Sequence, residues 1–347
     1  MRSSRWTLAA ANTSPVPRTE PQRKDPSTDW RPSATFETLR QRADVLSKIR
    51  RFFAERGVLE VETPALSAAT ATDLHLHSLT CRLNAPGLED RAFYLQTSPE
   101  FAMKRLLAAG SGPIFQLARA FRDGEVGRWH NPEFTMLEWY RPGFDHHDLM
   151  DEMDALLADL MGTAPAERLT YAEAFVRHLG IDPHRASVEA LRTAAFQQGI
   201  EVVGDDAGDR DPWLHLLLAS AIEPHLGRGR PTFLLDFPIS QAALARVRPG
   251  DPPVAERFEV YLEGVELANG FHELTDAAEQ RRRFEEDLEK RRRARLPEVP
   301  LDQRFLAALE AGLPDCAGVA LGVDRLLMRM VGVEDLREVL AFPALRA

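Results

Sequence analysis

Two arginines, Arg122 and Arg325, stand in separate runs whose residue types suit a triphosphate. The first run reads Phe121-Arg122-Asp123-Gly124-Glu125-Val126-Gly127-Arg128-Trp129-His130-Asn131-Pro132-Glu133-Phe134-Thr135-Met136-Leu137-Glu138-Trp139-Tyr140, and the second Gly318-Val319-Ala320-Leu321-Gly322-Val323-Asp324-Arg325-Leu326. A nucleoside triphosphate such as ATP needs cations at its phosphates, a flat surface for the base and carboxylates to hold Mg²⁺. Arg122 closes the predicted strand Ile114–Phe121, from which a guanidinium fork can grip a phosphate bidentately. Arg325 opens an apolar helical segment behind glycines that permit close backbone approach, and helix starts favour anions. Phe134 can stack on adenine, with His130 and Asn131 within reach of phosphate or purine. Taken singly, such an arginine is more often a surface ion-pair partner and such a phenylalanine more often core. Their joint placement around one polar turn carries the reading.

A second candidate is Phe258-Glu259-Val260-Tyr261-Leu262-Glu263-Gly264-Val265-Glu266-Leu267, expected as one long strand. In an ideal strand Glu259 and Glu263 face one way and Glu266 the other. A bulge at Gly264 would bring Glu259 and Glu266 to one face and make a Mg²⁺ seat. Solubility of an edge strand is the plainer explanation of the same pattern.

The elements that must hold these residues follow from periodicity. Leu39, Ala43, Leu46, Ile49 and Phe53 recur at helical spacing, and Gly57 stops that helix. Val58 to Pro64 reads as a strand ended by proline. Residues 91–96 form a short strand, and Phe101–Ala109 a helix. The stretch from Asp145 to about Leu226 is mainly helical, and Phe233–Pro238 returns to strand. Residues 276–295, dense in Arg and Glu, read as a solvated helix face laced with i,i+4 pairs. The expectation is an α+β fold, an antiparallel sheet flanked by helices. Residues 1–35 are expected to be a disordered extension, and 36–347 one catalytic-type domain with a helical insertion around 145–226.

At 347 residues and 44% hydrophobic content the chain can bury a substantial core. Its formal charge of −10, from 53 acidic and 43 basic residues, is the wrong sign for a global grip on nucleic acid. Cys81 and Cys316 lie far apart without metal-ligand spacing, as in a reduced, cytoplasmic protein. No apolar run approaches the roughly 20 residues of a membrane span.

The two arginine runs resemble the ATP-gripping motifs 2 and 3 of class II aminoacyl-tRNA synthetases, and Gly57 to Pro64 resembles motif 1, the element that builds the dimer. Ser98-Pro99-Glu100, His130-Asn131-Pro132-Glu133-Phe134-Thr135-Met136 and Glu266-Leu267-Ala268-Asn269-Gly270-Phe271-His272-Glu273-Leu274 are similar to the lysyl branch. The similarity spans about Thr35 to the C-terminus. It implies an α-phosphate role for Arg122, a γ-phosphate role for Arg325 and adenine stacking for Phe134. It places Asp123, Gly124, Glu125, His130, Asn131, Glu266, Leu267, Asn269 and Gly322 around the nucleotide and Mg²⁺ on Glu259 and Glu266. Ser98, Pro99, Glu100, Glu138, Tyr140, Glu273 and Ala320 then surround the amino acid, whose ammonium requires a paired counter-charge.

Three departures from the lysyl pattern sharpen the comparison. Only some thirty-five residues precede the first helix, too few for an anticodon-reading five-stranded barrel. Ala320 stands where lysyl-tRNA synthetases usually carry Gly. Asp123-Gly124-Glu125 stands where motif 2 usually has Glu after Arg-Asn, which leaves open whether Glu125 takes over that contact through a shifted loop. The first two departures resemble a stand-alone branch, the elongation factor P lysine ligases. That likeness implies ATP-dependent activation of (R)-β-lysine, transfer to a lysine of elongation factor P, and a homodimer without stable tRNA or membrane partners. The alternatives are an enzyme charging RNA with α-lysine and a non-catalytic scaffold.

Overall fold

The computed structural model describes residues 7–9, 30–88, 91–203 and 208–347. Helix α1 (Phe36–Ala54) begins where the Thr35 hydroxyl accepts from the Thr38 amide at 3.1 Å. Its buried stripe of Val45, Ile49, Phe52 and Phe53 has helical spacing. Phe53 stacks on Phe115 at 4.6 Å between ring centroids and packs against Trp139 at 5.2 Å. Truncating a side chain so placed costs about 3–5 kcal/mol, because the cavity collapses only in part.

Those rings belong to the central sheet. Among the described residues it has nine strands: β1 (Leu59–Glu60), β2 (Ile114–Phe121), β3 (Glu133–Pro142), β4 (Glu167–Thr170), β5 (Thr232–Pro238), β6 (Val247–Arg248), β7 (Val254–Leu262), β8 (Val265–His272) and β9 (Cys316–Gly322). Their order is β1-β2-β3-β9-β8-β7-β5-β4, with β6 beside β7. The body is antiparallel, while β1–β2 and β5–β4 at the two edges are parallel. The late strand β9 therefore sits in the middle, between β3 and β8.

One face of this sheet is apolar. Leu137, Leu321, Ala268 and Val260 lie side by side across β3, β9, β8 and β7. They pack into one core with α1, with Leu149, Met153 and Leu156 of α3 (His146–Met161), and with Leu326 and Leu327 of α9 (Val323–Val331). One residue along each strand the side chains point to the other face. There a second row runs Gln116, Glu138, Ala320, Asn269, Glu259 through β2, β3, β9, β8 and β7.

The stretch expected as one strand, Phe258–Leu267, is two. Glu263 (φ 51°) and Gly264 (φ 74°) form a two-residue turn, and the chain reverses into a β7–β8 hairpin. Positive φ at both central positions is the geometry that matches strand twist in tight hairpins. Glu259 and Glu266 thus come together from neighbouring strands through a register shift after Val260, not through a bulge at Gly264. Of Val58 to Pro64, Leu59–Glu60 pairs as strand.

Helices α4 (Tyr171–Leu179), α5 (Val188–Gln197) and α6 (Asp211–Leu217) build a second core around Tyr171, Phe175, Trp213 and Leu217 against Leu234 and Phe237. Helix α2 (Glu100–Ala108) packs with α7 (Ala277–Arg293) and α8 (Gln303–Gly312) around Phe284 and Phe305. The outer face of α7 carries spaced pairs such as Arg282–Glu286 and Arg293–Glu289. Most of the segment 1–35 lies outside the described residues. Within it, Thr7–Ala9 pairs with Glu201–Val203, and the Ser33 and Ala34 amides donate to Ala341 and Leu340 carbonyls. Both cysteines are free, and burial pushes the Cys316 thiol up to about 12. Among the described residues no helix is long and apolar enough to cross a membrane.

Candidate active site

The middle of the polar row, Glu138, Ala320 and Asn269, lines a cleft of about 1900 Å³. Arg122 and Arg325 line one end of it, Glu100, Glu138 and Glu273 the other, with Ala320 and Asn269 between.

At the arginine end, β2 delivers Arg122 and the antiparallel return along β3 delivers Phe134, opposite Ala120. The Arg122 guanidinium lies 5.1 Å from the centre of the Phe134 ring and 3.7 Å from Glu125. Its Nε is buried and has no hydrogen-bond partner. A buried unpaired donor costs about 1–3 kcal/mol, so this nitrogen marks a place for an anionic oxygen. Glu125 lines the cleft; Asp123, whose amide donates to the His77 carbonyl at 2.7 Å, and Gly124 (φ 81°) shape the turn behind it.

Arg325 stands in the first turn of α9. That turn is anchored by the buried Asp324, which accepts from Arg42 at 2.5 Å and from the Thr135 amide at 2.8 Å. Arg325 donates to the Glu266 carbonyl at 2.9 Å and to the His130 Nε2 at 2.7 Å. His130 must accept there, and burial together with Arg325 holds its pKa below the usual histidine range. Asn131 plays a structural part: its amide donates to the Glu133 carbonyl at 2.6 Å and its oxygen accepts from the Ala344 amide at 2.9 Å. Gly322 is the residue from which α9 starts, and Leu267 is buried at the cleft wall.

Beside Arg325 lies a group of carboxylates. Glu259 is buried, accepts from Arg257 at 2.5 Å and from the Tyr261 hydroxyl at 2.6 Å, and is pushed up by burial. Glu266 bonds Arg325 at 3.4 Å. Glu223, not anticipated from sequence, joins them through the Tyr261 hydroxyl at 3.2 Å. Burial and the charges of Glu259 and Glu266 push Glu223 up to about 7. Carboxylate oxygens are the donor class that a hard divalent cation such as Mg²⁺ prefers. Arg257 also reaches the Asn269 oxygen at 3.2 Å.

The carboxylate end is drier. Ser98, placed just ahead of α2, donates to Glu138 at 2.6 Å and accepts from the Glu100 amide at 3.0 Å; Pro99 starts the helix. The Tyr140 hydroxyl donates to the other Glu138 oxygen at 2.6 Å. Burial and the nearby Glu100 push Glu138 up to about 7, although both of these bonds favour its ionised form. Gly318, opposite Tyr140, admits no side chain: a Cβ there would lie 2.2 Å from the Tyr140 ring and 2.6 Å from Glu273.

The residue that sequence reasoning missed here is Lys104. It is 1% exposed and lies 2.6 Å from Glu100 and 2.5 Å from Glu273. Burial disfavours its charge, but the two carboxylates outweigh that and keep it an ammonium. Glu273 is itself pushed up by burial to about 8 against the pull of Lys104. Three carboxylates around one lysine leave negative charge in excess, which suits a second ammonium brought by a ligand. An acid four residues before a lysine was visible in the sequence; burial of the pair was not.

A family model described as tRNA synthetases class II (D, K and N) matches residues 19–346. A Proteus mirabilis protein named elongation factor P–(R)-β-lysine ligase is 56% identical over 320 residues, covering 92% of this chain and 98% of that protein. A Salmonella typhi protein of the same name is 56% identical over 319 residues, covering 92% and 98%.

Proposed function

We propose, from the premise that this chain belongs to the elongation factor P–(R)-β-lysine ligases within the class II tRNA synthetases, that it activates (R)-β-lysine with ATP and passes it to a lysine of elongation factor P. The supporting observation is one cleft that has an arginine end carrying an unpaired buried donor and a buried carboxylate end, with Ala320 and Asn269 between them.

In the first step the β-lysine carboxylate attacks the ATP α-phosphorus in line, forming β-lysyl-adenylate and releasing pyrophosphate. No protein nucleophile takes part, so the chain contributes position and charge. Arg122 grips the α-phosphate through its free Nε edge, with Phe134 beneath the adenine. Arg325, steadied by His130, receives the γ-phosphate and then the departing pyrophosphate. Glu259 and Glu266, with Glu223 behind them, would hold Mg²⁺, which when bound neutralises phosphate charge.

At the far end Glu138 and Glu273 receive the substrate's ammonium groups, and Lys104 keeps the remaining negative charge in balance. Ala320, between Glu138 and Asn269 in the row, puts a methyl under the substrate and sets where its amino group lies. In the second step the neutral acceptor amine attacks the acyl carbon and AMP leaves. A free lysine amine is mostly protonated at neutral pH, so it must lose a proton on docking, which the adenylate phosphate can accept.

The edge element formed by α1 and β1, with Phe36 and Leu59 exposed, is the proposed homodimer contact, which light scattering tests. Mass spectrometry of elongation factor P after incubation with ATP, Mg²⁺ and each lysine isomer tests the reaction. A β-lysyl adduct, with no comparable charging of purified tRNA by α-lysine, is the expected result. Faster formation of α-lysyl-tRNA would overturn the proposal.

A further inference from the structure

Away from the cleft, His146, Glu256 and His272 meet where the start of α3 crosses β7 and β8. One donor atom from each lies within 4.8 Å of the other two, and none of the three residues lines the cleft. His272 is sandwiched between two carboxylates: its Nδ1 is 2.7 Å from Glu256 and its Nε2 is 2.9 Å from Asp315. A neutral imidazole has one N–H. If that proton serves Asp315, the Nδ1 lone pair faces a Glu256 oxygen at hydrogen-bond distance, and a metal cation between them relieves the repulsion.

A second proton on His272 would also relieve it, but it does nothing for His146. That side chain is 1% exposed, and neither of its ring nitrogens has a hydrogen-bond partner. Its ring lies 6.3 Å from the His272 ring. An imidazole buried with both nitrogens unsatisfied is costly, and the same two carboxylates do not reach it. One occupant engages a nitrogen of each histidine at once.

We propose that His146, His272 Nδ1 and Glu256 bind a divalent transition ion of the zinc class, clipping the start of α3 to the β7–β8 hairpin. Two imidazoles and one carboxylate are the donors such an ion selects, whereas Mg²⁺ and Ca²⁺ prefer oxygen alone. Asp315 supplies the outer carboxylate that holds the His272 tautomer, as second partners of metal-bound histidines do. Bonds of about 2.0–2.2 Å separate tetrahedral donors by roughly 3.3–3.6 Å, so the Nδ1–Glu256 contact opens slightly and the longest separation closes by about 1 Å. The fourth position is left to water. Arg248 lies 3.9 Å from the other Glu256 oxygen and also pairs with Asp236, and Arg246 pairs with Asp315 at 2.5 Å. These arginines offset the acidic groups without reaching the two imidazoles. Glu256 and the exposed Asp315 provide the way in.

The test uses the full chain, stripped with a chelator and titrated with Zn²⁺ in excess Mg²⁺, with Co²⁺ as a spectroscopic substitute. Expected are one zinc per chain by elemental analysis, intense four-coordinate Co²⁺ bands, and a rise of about 4 °C in Tm at a hundredfold excess over Kd. His146→Ala and Glu256→Gln should each weaken zinc binding at least tenfold, while His147→Ala leaves it unchanged. ATP–pyrophosphate exchange should persist in His146→Ala. Substoichiometric zinc in the unmodified protein, a weak six-coordinate Co²⁺ spectrum, or stoichiometric zinc retained by His146→Ala would each overturn the proposal. The Co²⁺ spectrum needs no variant, so misfolding of a variant cannot mask the answer.

Discussion

At the arginine end of the cleft, Arg122 and Arg325 project from a strand end and a helix start, partly open to solvent, and Arg122 keeps one nitrogen unpaired. At the carboxylate end, Glu138 and Lys104 are buried in the middle of elements and Glu273 just past the end of β8, with Glu138 and Lys104 each held by two partners. A triphosphate is a large, generic anion that two guanidinium groups can grip from an open rim. An ammonium on a short aliphatic chain is small, and a site selects it only by surrounding it with charges that cannot move. The rim supplies reactivity, and the buried end supplies choice.

That contrast can be broken at either end. The largest effect is expected from Arg122→Ala, which removes the cation nearest the developing charge and should lower kcat/KM in pyrophosphate exchange by about 10²–10³. Its KM for β-lysine should barely change. An equal loss in both parameters would show that the ends are not separate. Glu138→Gln should do the reverse, raising KM for β-lysine by about 10²-fold while KM for ATP stays within about twofold, since it leaves a bound ammonium one counter-charge short. Steady-state kinetics with each substrate varied separates the two patterns.

Ala320→Gly probes the floor between the ends. A difference of one methyl is worth about 1–3 kcal/mol, so the ratio of kcat/KM for β-lysine over α-lysine should fall by about tenfold rather than invert cleanly. An unchanged ratio would remove Ala320 from the specificity argument. The smallest effect concerns pH. Glu138 and Glu273 are raised to about 7 and about 8, so the free pocket holds protons at pH 6 that a doubly charged amine must displace. The apparent Kd for β-lysine, measured by calorimetry, should therefore fall several-fold from pH 6 to pH 8. Both groups bind more protons folded than unfolded above their ordinary value of 4.5, so the unliganded protein should lose stability as pH rises across that window. Added β-lysine should restore it.

The arginine end was the more legible in sequence because its residues sit in two short runs with their turn glycines, and local pattern is enough to group them. The α+β class followed from strands separated by helices of uneven length, with the late strands at Phe233–Pro238 and Phe258–Leu267 close together. The hairpin was misjudged because Glu263 adopts a positive φ that only a following strand reveals. A Glu-Gly pair is a weaker turn signal than Asn-Gly. Lys104 reads locally as an ordinary polar residue of a helix, and its meaning depends on Glu273, a partner far along the chain. Glu223 and the His146–Glu256–His272 group were hidden for the same reason: folding joins what sequence separates.

Strand β9 enters the sheet between β3 and β8, so the floor of the cleft is assembled from segments spread between Glu138 and Ala320. A chain still emerging from the ribosome lacks its keystone until that late segment is free. Before then the two half-sheets would present unpaired edges to each other and to neighbours. Turnover by this protein is thus a readout of completed folding, and mutations that slow insertion of β9 should surface as aggregation during synthesis before they surface as weakened catalysis.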